Sequence, residues 1–472
     1  MRALIAAALW LQPIVLAGVA LRITGGAADA PWLALGALIA PLIALLTPDA
    51  GALGANVAAR AGAALAVALL LAANFVVAAD AAALLGVAPW LGVALAAPLA
   101  LVVPLLPGAR HAGAAMLPVA AVVLALPLVS VGLTTRAAPW GAWRDGGWRA
   151  ALTFPETSAW VSDGERVARA SRLTFVEGQR ITVLSAGVYR VVERDATPAT
   201  VREWRLTAGE TLTLRPGDEL SVDAGAQLRF EPGRRVPGAP ASGIAWADAP
   251  SRGPAMFPAA LGALVTLVGG ALALVPPVRR GPPAALAPLV LLVATTAAVG
   301  WGVYAAATAP DLALGGSLAA PVFRLPTRAL GLRAGTPLAI LAIAALGTLM
   351  LTAATALRWR LAAASPVAAL WVAVVGLGAL LAVAPVDPWR LLSMGLGLAA
   401  AAGVPPRLAT GQVPGLAGSS VGAASFLGIA ALPWLAPAAA VWLDPLVHYP
   451  ALAAVPLGAV TAWVLSEAPA RK

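Results

Sequence analysis

The sequence predicts an α-helical polytopic membrane protein of about twelve transmembrane helices, with an inserted all-β extracytoplasmic domain of sandwich or barrel kind. Three observations predict it. The 472 residues are 60% hydrophobic and 11% charged, where a soluble domain carries about 25% charged residues. The apolar residues gather into runs approaching the ~20 residues that cross a bilayer core. The charge is unevenly spread, because residues 136–255 alone hold 14 of the 21 acidic residues and 16 of the arginines.

The N-terminal membrane bundle, residues 1–135, contains five such runs, at about 3–21, 31–47, 61–79, 82–106 and 113–134. Arg2, the first apolar run and Ala28-Asp29-Ala30 have the outline of a cleavable signal peptide. The run is about 19 residues, longer than the usual ~7–15 of such a segment, so a retained first helix is expected. The C-terminal bundle, residues 256–472, contains seven runs, at about 256–276, 284–308, 336–357, 364–384, 390–404, 417–440 and 450–466. The tenth run of the chain is short. The eleventh opens among Gly411, Gly415, Gly418 and Gly422, which predicts a broken or re-entrant start.

Orientation follows from the arginines in short loops. With the N-terminus in the cytoplasm, the inner segments hold Arg2, Arg60, Arg110, Arg279, Arg280, Arg358, Arg360, Arg407, Arg471 and Lys472. The short outer loops hold Arg22, Arg324, Arg328, Arg333 and Arg390. This bias places both termini inside a bacterial plasma (inner) membrane and residues 137–255 outside the cytoplasm. It also accounts for the net charge of +10 without a nucleic-acid partner, since the arginines outside the middle domain stand singly or in pairs between apolar runs.

Between the bundles, apolar residues alternate in short runs: Leu173–Val176, Ile181–Leu184, Val188–Val191, Val201–Trp204, Leu212–Leu214, Leu220–Val222 and Leu228–Phe230. Turn pairs such as Ala186-Gly187, Ala208-Gly209, Pro216-Gly217 and Pro232-Gly233 separate them, the pattern of an antiparallel sandwich or small barrel. Residues 236–255 read as a linker. Trp140, Trp143 and Trp148 read as an interfacial segment where the chain leaves the bilayer. The turns around Arg215-Pro216-Gly217-Asp218 resemble those of cupin jelly rolls, but the domain has no His, so no metal site follows.

Composition excludes several chemistries. Lys472 is the single lysine, so neither a phosphate-binding Walker loop nor a Schiff-base lysine is available. The absence of Cys removes disulfides, thiolate zinc sites and Cys-held clusters. His111 falls at the cytoplasmic end of the fifth span and His448 at the outer end of the twelfth, on opposite sides of the membrane, so they cannot form one bis-His site. No cofactor is expected, and no catalytic residue is assigned.

Three groups of polar residues remain as candidates. Asp387, Arg390, Asp444 and His448 stand at the outer ends of spans. The Asp-Pro pairs at 387–388 and 444–445 suit helix starts, and the alternative is an outer-face polar cluster. Thr348, Thr352 and Thr355, at i, i+4 and i+7, share one helix face, as a packing seam or the lining of a polar pathway. Gln12, Asn74, Thr295, Thr296 and Tyr304 are further neutral polar residues within spans, and no ionisable residue lies near a midplane. The outer loop 309–335 sets Arg324, Arg328 and Arg333 among Phe323, Leu325, Leu330 and Leu332. It reads as an amphipathic segment on the outer leaflet or as a site for a ligand or lipid phosphate.

O-antigen polymerases of the bacterial envelope are similar in span number, in having both termini inside, and in outer loops where an Arg is followed eleven positions later by Gly. Arg136 and Gly147, and Arg324 and Gly335, match that spacing. The resemblance covers topology and implies an envelope enzyme acting on a lipid-linked saccharide. The β domain and the loop of the second pair depart from the family's pattern, so no residue role is carried over.

The first functional expectation is therefore a non-catalytic component of a transport, export or envelope-assembly complex. It would be embedded in the lipid bilayer and dock protein partners through its β domain. A lipid-linked saccharide enzyme and a secondary transporter are the alternatives.

Overall fold

The computed structural model describes residues 2–24, 30–46, 57–135, 158–161, 171–175, 177–193, 200–222, 226–230, 256–275, 286–308, 312, 320–362, 368–384, 388–408, 412–436, 439–440 and 443–467. Ahead of the β region lie α1 (Arg2–Ala8), α2 (Pro13–Thr24), α3 (Ala30–Leu46), α4 (Val57–Leu84), α5 (Pro89–Val102) with a 3-10 turn (Val103–Leu105), and α6 (Ala109–Thr135). Behind it lie α7 (Met256–Leu274), α8 (Leu286–Thr308), α9 (Ala320–Ala362), α10 (Ala368–Val383), α11 (Pro388–Gly403), α12 (Pro405–Leu408), α13 (Gln412–Leu435), α14 (Asp444–His448) and α15 (Ala451–Glu467). Proline opens α2, α5, α11 and α12, where its missing N–H has no intrahelical acceptor to lose.

Among the described residues, six segments are long and apolar enough to cross a membrane: Ala61–Leu84, Ala109–Leu133, Leu286–Ala305, Arg333–Trp359, Pro388–Leu408 and Val413–Leu435. Pro13–Thr24, Trp32–Leu45, Pro89–Leu105, Leu261–Leu274, Ala368–Val383 and Ala451–Glu467 are shorter apolar helices. Large apolar side chains stay exposed along these elements, among them Leu95, Val122, Leu133, Leu380 and Trp463. Exposure on this scale is the signature of a surface meant for lipid.

The helices of both halves form one core. The pairs α4–α11, α4–α10, α2–α8, α3–α7, α6–α9 and α7–α11 pack against each other. One cluster runs from Leu4 in α1 through Phe75 in α4 and Trp301 in α8 to Phe426 in α13 and Ala454 in α15. Glycine permits the closest approaches. A Cβ on Gly92 of α5 would meet the backbone of Ala78 and Ala79 in α4, and one on Gly422 of α13 would meet the carbonyl of Ala401 in α11.

Two segments differ from the sequence expectation, and a third gains detail. The first run is two helices, because Pro13 cannot donate to the carbonyl four residues back and its ring crowds that turn. Over the described residues the glycine-rich start of the eleventh run is not broken; α13 is continuous from Gln412 to Leu435. Gly418 and Gly458 face each other's carbonyls across α13 and α15, so these glycines serve helix packing. The stretch read as loop 309–335 is helical from Ala320 onward. Its turn lies at Gly331, whose φ of 73° and ψ of 172° interrupt α9 in a region that only glycine enters freely.

The middle region holds β1 (Ser158–Val161), β2 (Ser171–Thr174), β3 (Gln179–Val183), β4 (Gly187–Glu193), β5 (Thr200–Leu206), β6 (Thr211–Leu214), β7 (Glu219–Val222) and β8 (Gln227–Phe230). They form two four-stranded antiparallel sheets, ordered β1-β8-β3-β6 and β2-β7-β4-β5. Ile181, Val183, Leu212, Leu214, Leu228 and Phe230 of the first sheet share one apolar cluster with Tyr189, Val191, Leu220 and Val222 of the second. The period-2 alternation of the sequence produces this, and β6 alternates exposed and buried along its length. Gly209 and Gly217 take positive φ in the connecting turns. The tryptophan segment 140–148 and the linker 236–255 lie outside the described residues.

Candidate functional site

The break between α1 and α2 is the most polar point of the helical core. Residues Ala6 through Ala20 are buried, so every backbone group freed there needs a protein partner. The Gln12 side-chain amide donates to the Leu9 carbonyl at 2.8 Å, taking the acceptor that Pro13 leaves empty. Asn74 of α4, itself buried, completes the set. Its Nδ2 donates to Gln12 Oε1 at 2.8 Å and to the Leu70 carbonyl at 2.9 Å, and its Oδ1 accepts the Ile14 N–H at 3.1 Å. The Trp10 indole N–H donates to the Ala37 carbonyl in α3 at 3.1 Å. The hub is neutral, its two side-chain amides pair with each other and with the backbone, and it fixes a discontinuous helix to two neighbours.

Thr348, Thr352 and Thr355 do fall along one line of α9. Each hydroxyl donates to the carbonyl four residues earlier: Ala344 at 2.9 Å, Thr348 at 2.7 Å and Leu351 at 2.8 Å. Thr352 packs where α6 presents Gly113, and a Cβ on Gly113 would stand 3.1 Å from its methyl. Thr295 is back-bonded to Leu291 in the same way, at 2.6 Å. Hydroxyls satisfied within their own helix present mainly their methyls to neighbours.

At one end of the bundle, the Arg22 guanidinium lies 5.5 Å from the Trp389 ring centroid, and Arg390 lies 6.0 Å from that of Trp434. These cation–π pairs tie α2 to α11 and α11 to α13. No contact between members of the expected cluster is seen among the described residues. Arg390 is half-buried beside Trp434 and His448 is exposed at the end of α14, while Asp387 and the side chain of Asp444 lie outside the described residues. At the opposite end, Arg358 donates to the Pro104 carbonyl at 2.6 Å and Arg407 to the Val275 carbonyl at 3.4 Å.

The three arginines of the former loop straddle the Gly331 turn. Val322 and Leu325 sink into the core, Arg324 is exposed one position before Leu325, and Arg333 is exposed beyond the turn. The side chain of Arg328 lies outside the described residues. Gly335 has a packing role: a Cβ there would meet the Pro326 carbonyl and Thr327 Cα, because the chain doubles back on itself at Gly331.

In the β region the informative element is β5, at the edge of its sheet. Its register against β4 places Trp204 opposite Tyr189 and Arg202 opposite Val191. Tyr189 and Val191 are 1% and 4% exposed, whereas Trp204 is 42% exposed and Val201 63%. From Thr200 to Arg205, β5 therefore overhangs the core, and only Leu206 at its end packs against it. Arg190–Glu203 and Arg202–Glu193 ion pairs, both 3.3 Å, hold the overhanging ribbon. The sequence pattern identified β5 as a strand but gave no sign that it lay outside the core, since Val201 and Trp204 are ordinary core residue types.

The chain shows no match to any protein family, to any curated protein or to any solved structure. Among the described residues, no three His, Asp or Glu come together as a metal site would require.

Proposed function

We propose that the protein is a non-catalytic subunit of a bacterial plasma-membrane complex for transport, export or envelope assembly. It crosses the membrane twelve times with both termini inside and holds a partner outside the cytoplasm through its β sandwich. The observation that carries this reading is β5, an edge strand whose Val201 and Trp204 remain exposed beside Arg202 and Arg205. The edge strand of a sheet is a template for strand addition; Arg202 is already paired with Glu193, and Arg205 beside the exposed apolar residues favours a partner segment with acidic and apolar side chains. The end-to-end contacts support the topology. Arg22, Trp389, Arg390 and Trp434 meet at the end that twelve alternating spans put outside, and Arg358, Pro104, Arg407 and Val275 at the end they put inside.

The test is purification of the full chain in mild detergent with a photo-crosslinking residue at Val201 or Trp204. One discrete crosslinked partner is expected, and that partner should no longer co-purify with a chain deleted for 150–250 that still inserts. Isolation of the full chain as an active, unpartnered monomer would overturn the reading.

A second reading, a secondary transporter, is favoured by the discontinuous α1–α2 helix, since broken helices occur where transporters bind solutes. In proteoliposomes, that reading requires a flux that Asn74→Leu or Thr352→Val alters; unaltered flux in both rejects it.

A further inference from the structure

A cavity of about 330 Å³ opens at the end of the bundle where the 3-10 turn after α5, the start of α6 and the end of α9 meet. This is within the ~300–1,000 Å³ range of ligand pockets. Its polar lining is cationic or neutral. Arg110 and His111 come from the first turn of α6, Arg358 and Thr355 from the last turns of α9, and among the described residues no carboxylate lines it. Arg358 is anchored by its bond to the Pro104 carbonyl, which fixes one nitrogen of its guanidinium and leaves a planar fork of further donors. Thr355 spends its hydroxyl proton on Leu351, so its oxygen contributes little, and the site depends on Arg110, His111 and Arg358.

The backbone supports the same sign of ligand. Gly108 turns the chain with φ +82° and its carbonyl accepts the N–H groups of His111 and Ala112. The cavity therefore sits beside the N-terminal, positive end of the 27-residue α6. The rim is apolar: Leu105 and Leu106 are 46% and 53% exposed, with Pro107 and Trp359 beside them. A cationic cavity with an apolar rim at the end of a membrane bundle matches an amphiphile whose charged group is an anion.

We propose that Arg110, His111 and Arg358 bind a phosphate group, presented by the headgroup of an anionic phospholipid whose acyl chains lie along Leu105, Leu106 and the outward faces of α5 and α6. The site lies in the helical bundle and uses no residue of the β region, so it stands whether or not β5 docks a partner.

The experiment is thermal unfolding of the full chain in detergent, with added phosphatidylglycerol, phosphatidylcholine or inorganic phosphate. Phosphatidylglycerol should raise Tm in a saturable way, and phosphatidylcholine should not. In Arg110→Gln/His111→Gln, both exposed positions that leave the Arg358–Pro104 bond intact, the phosphatidylglycerol shift should fall at least by half. Arg180→Gln, exposed in the β region, should keep the full shift and controls for net charge. A shift of similar size from inorganic phosphate, removed by the same double variant, would support the phosphate site and reassign its source to a soluble ligand. An equal phosphatidylglycerol shift in wild type and double variant, or an equal response to phosphatidylcholine, would overturn the proposal.

Discussion

Asn74 is the side chain on which the helical core most depends. Its amide meets three needs at once: the Ile14 N–H, the Gln12 side chain and its own helix at Leu70. Asn74→Leu leaves the Ile14 N–H and Gln12 Oε1 buried without partners, at about 1–3 kcal/mol for each orphaned group. The expected loss is about 2–6 kcal/mol, read as lowered stability to denaturant in detergent. A Gln12→Leu/Asn74→Leu double variant should lose less than the sum of the single losses, because the two amides partner each other. A strictly additive result would show that the Gln12–Asn74 bond contributes nothing. The residue types were legible in the sequence as polar positions within spans. Their pairing was not, because Gln12 and Asn74 are 62 residues apart and no periodicity links them.

At the scale of the element, glycine decides where helices stop and how closely they pass. Gly331→Ala places a Cβ in backbone that only glycine enters freely, at a cost of about 1–3 kcal/mol. Gly335→Ala must displace the backbone at Pro326 and Thr327 and should be at least as harmful. Gly347→Ala, in the same α9 but with no atom within 4 Å of its Cβ, should be neutral or stabilising by about 0.5–1 kcal/mol. The three are ranked by thermal denaturation in one detergent; equal Tm values would refute this account of the α9 turn. The sequence placed the apolar runs well because hydropathy over ~20 residues is a local property. It could not show that the 309–335 connection contains a helix turned at Gly331, because Arg324, Arg328 and Arg333 interrupt hydropathy. It expected a break at the glycine-rich start of α13 because glycine at a break and glycine at a helix contact look alike until the neighbouring helix is known.

For the whole molecule, the absence of cysteine permits a direct test of topology. Ala112→Cys, exposed near the start of α6, and Thr200→Cys, exposed at the start of β5, each introduce the chain's single thiol. In intact cells whose outer membrane has been made permeable, a membrane-impermeant maleimide should label position 200 and spare 112. Disrupting the cells should expose both. The reverse pattern would invert the proposed orientation and place the cationic cavity outside. The charge distribution also takes on a spatial meaning at this scale. Arg22 and Arg390 pair with tryptophans at one end, and Arg358 and Arg407 close carbonyls at the other. Arginines counted in the sequence for orientation thus also join helices distant along the chain.

The sequence by itself determined the material: apolar helices, an alternating β insert, and a chain without the thiols or internal lysine that many chemistries need. These are properties of composition and of periods shorter than a helix. Only the tertiary structure decided that Asn74 repairs the break before Pro13, that Trp204 lies beyond the core, and that Arg110, His111 and Arg358 line one cavity. Each depends on which distant segments meet. In a core built largely of alanine and leucine, close packing and the demand that every buried polar group find a partner settle that, and neither is encoded at any single position.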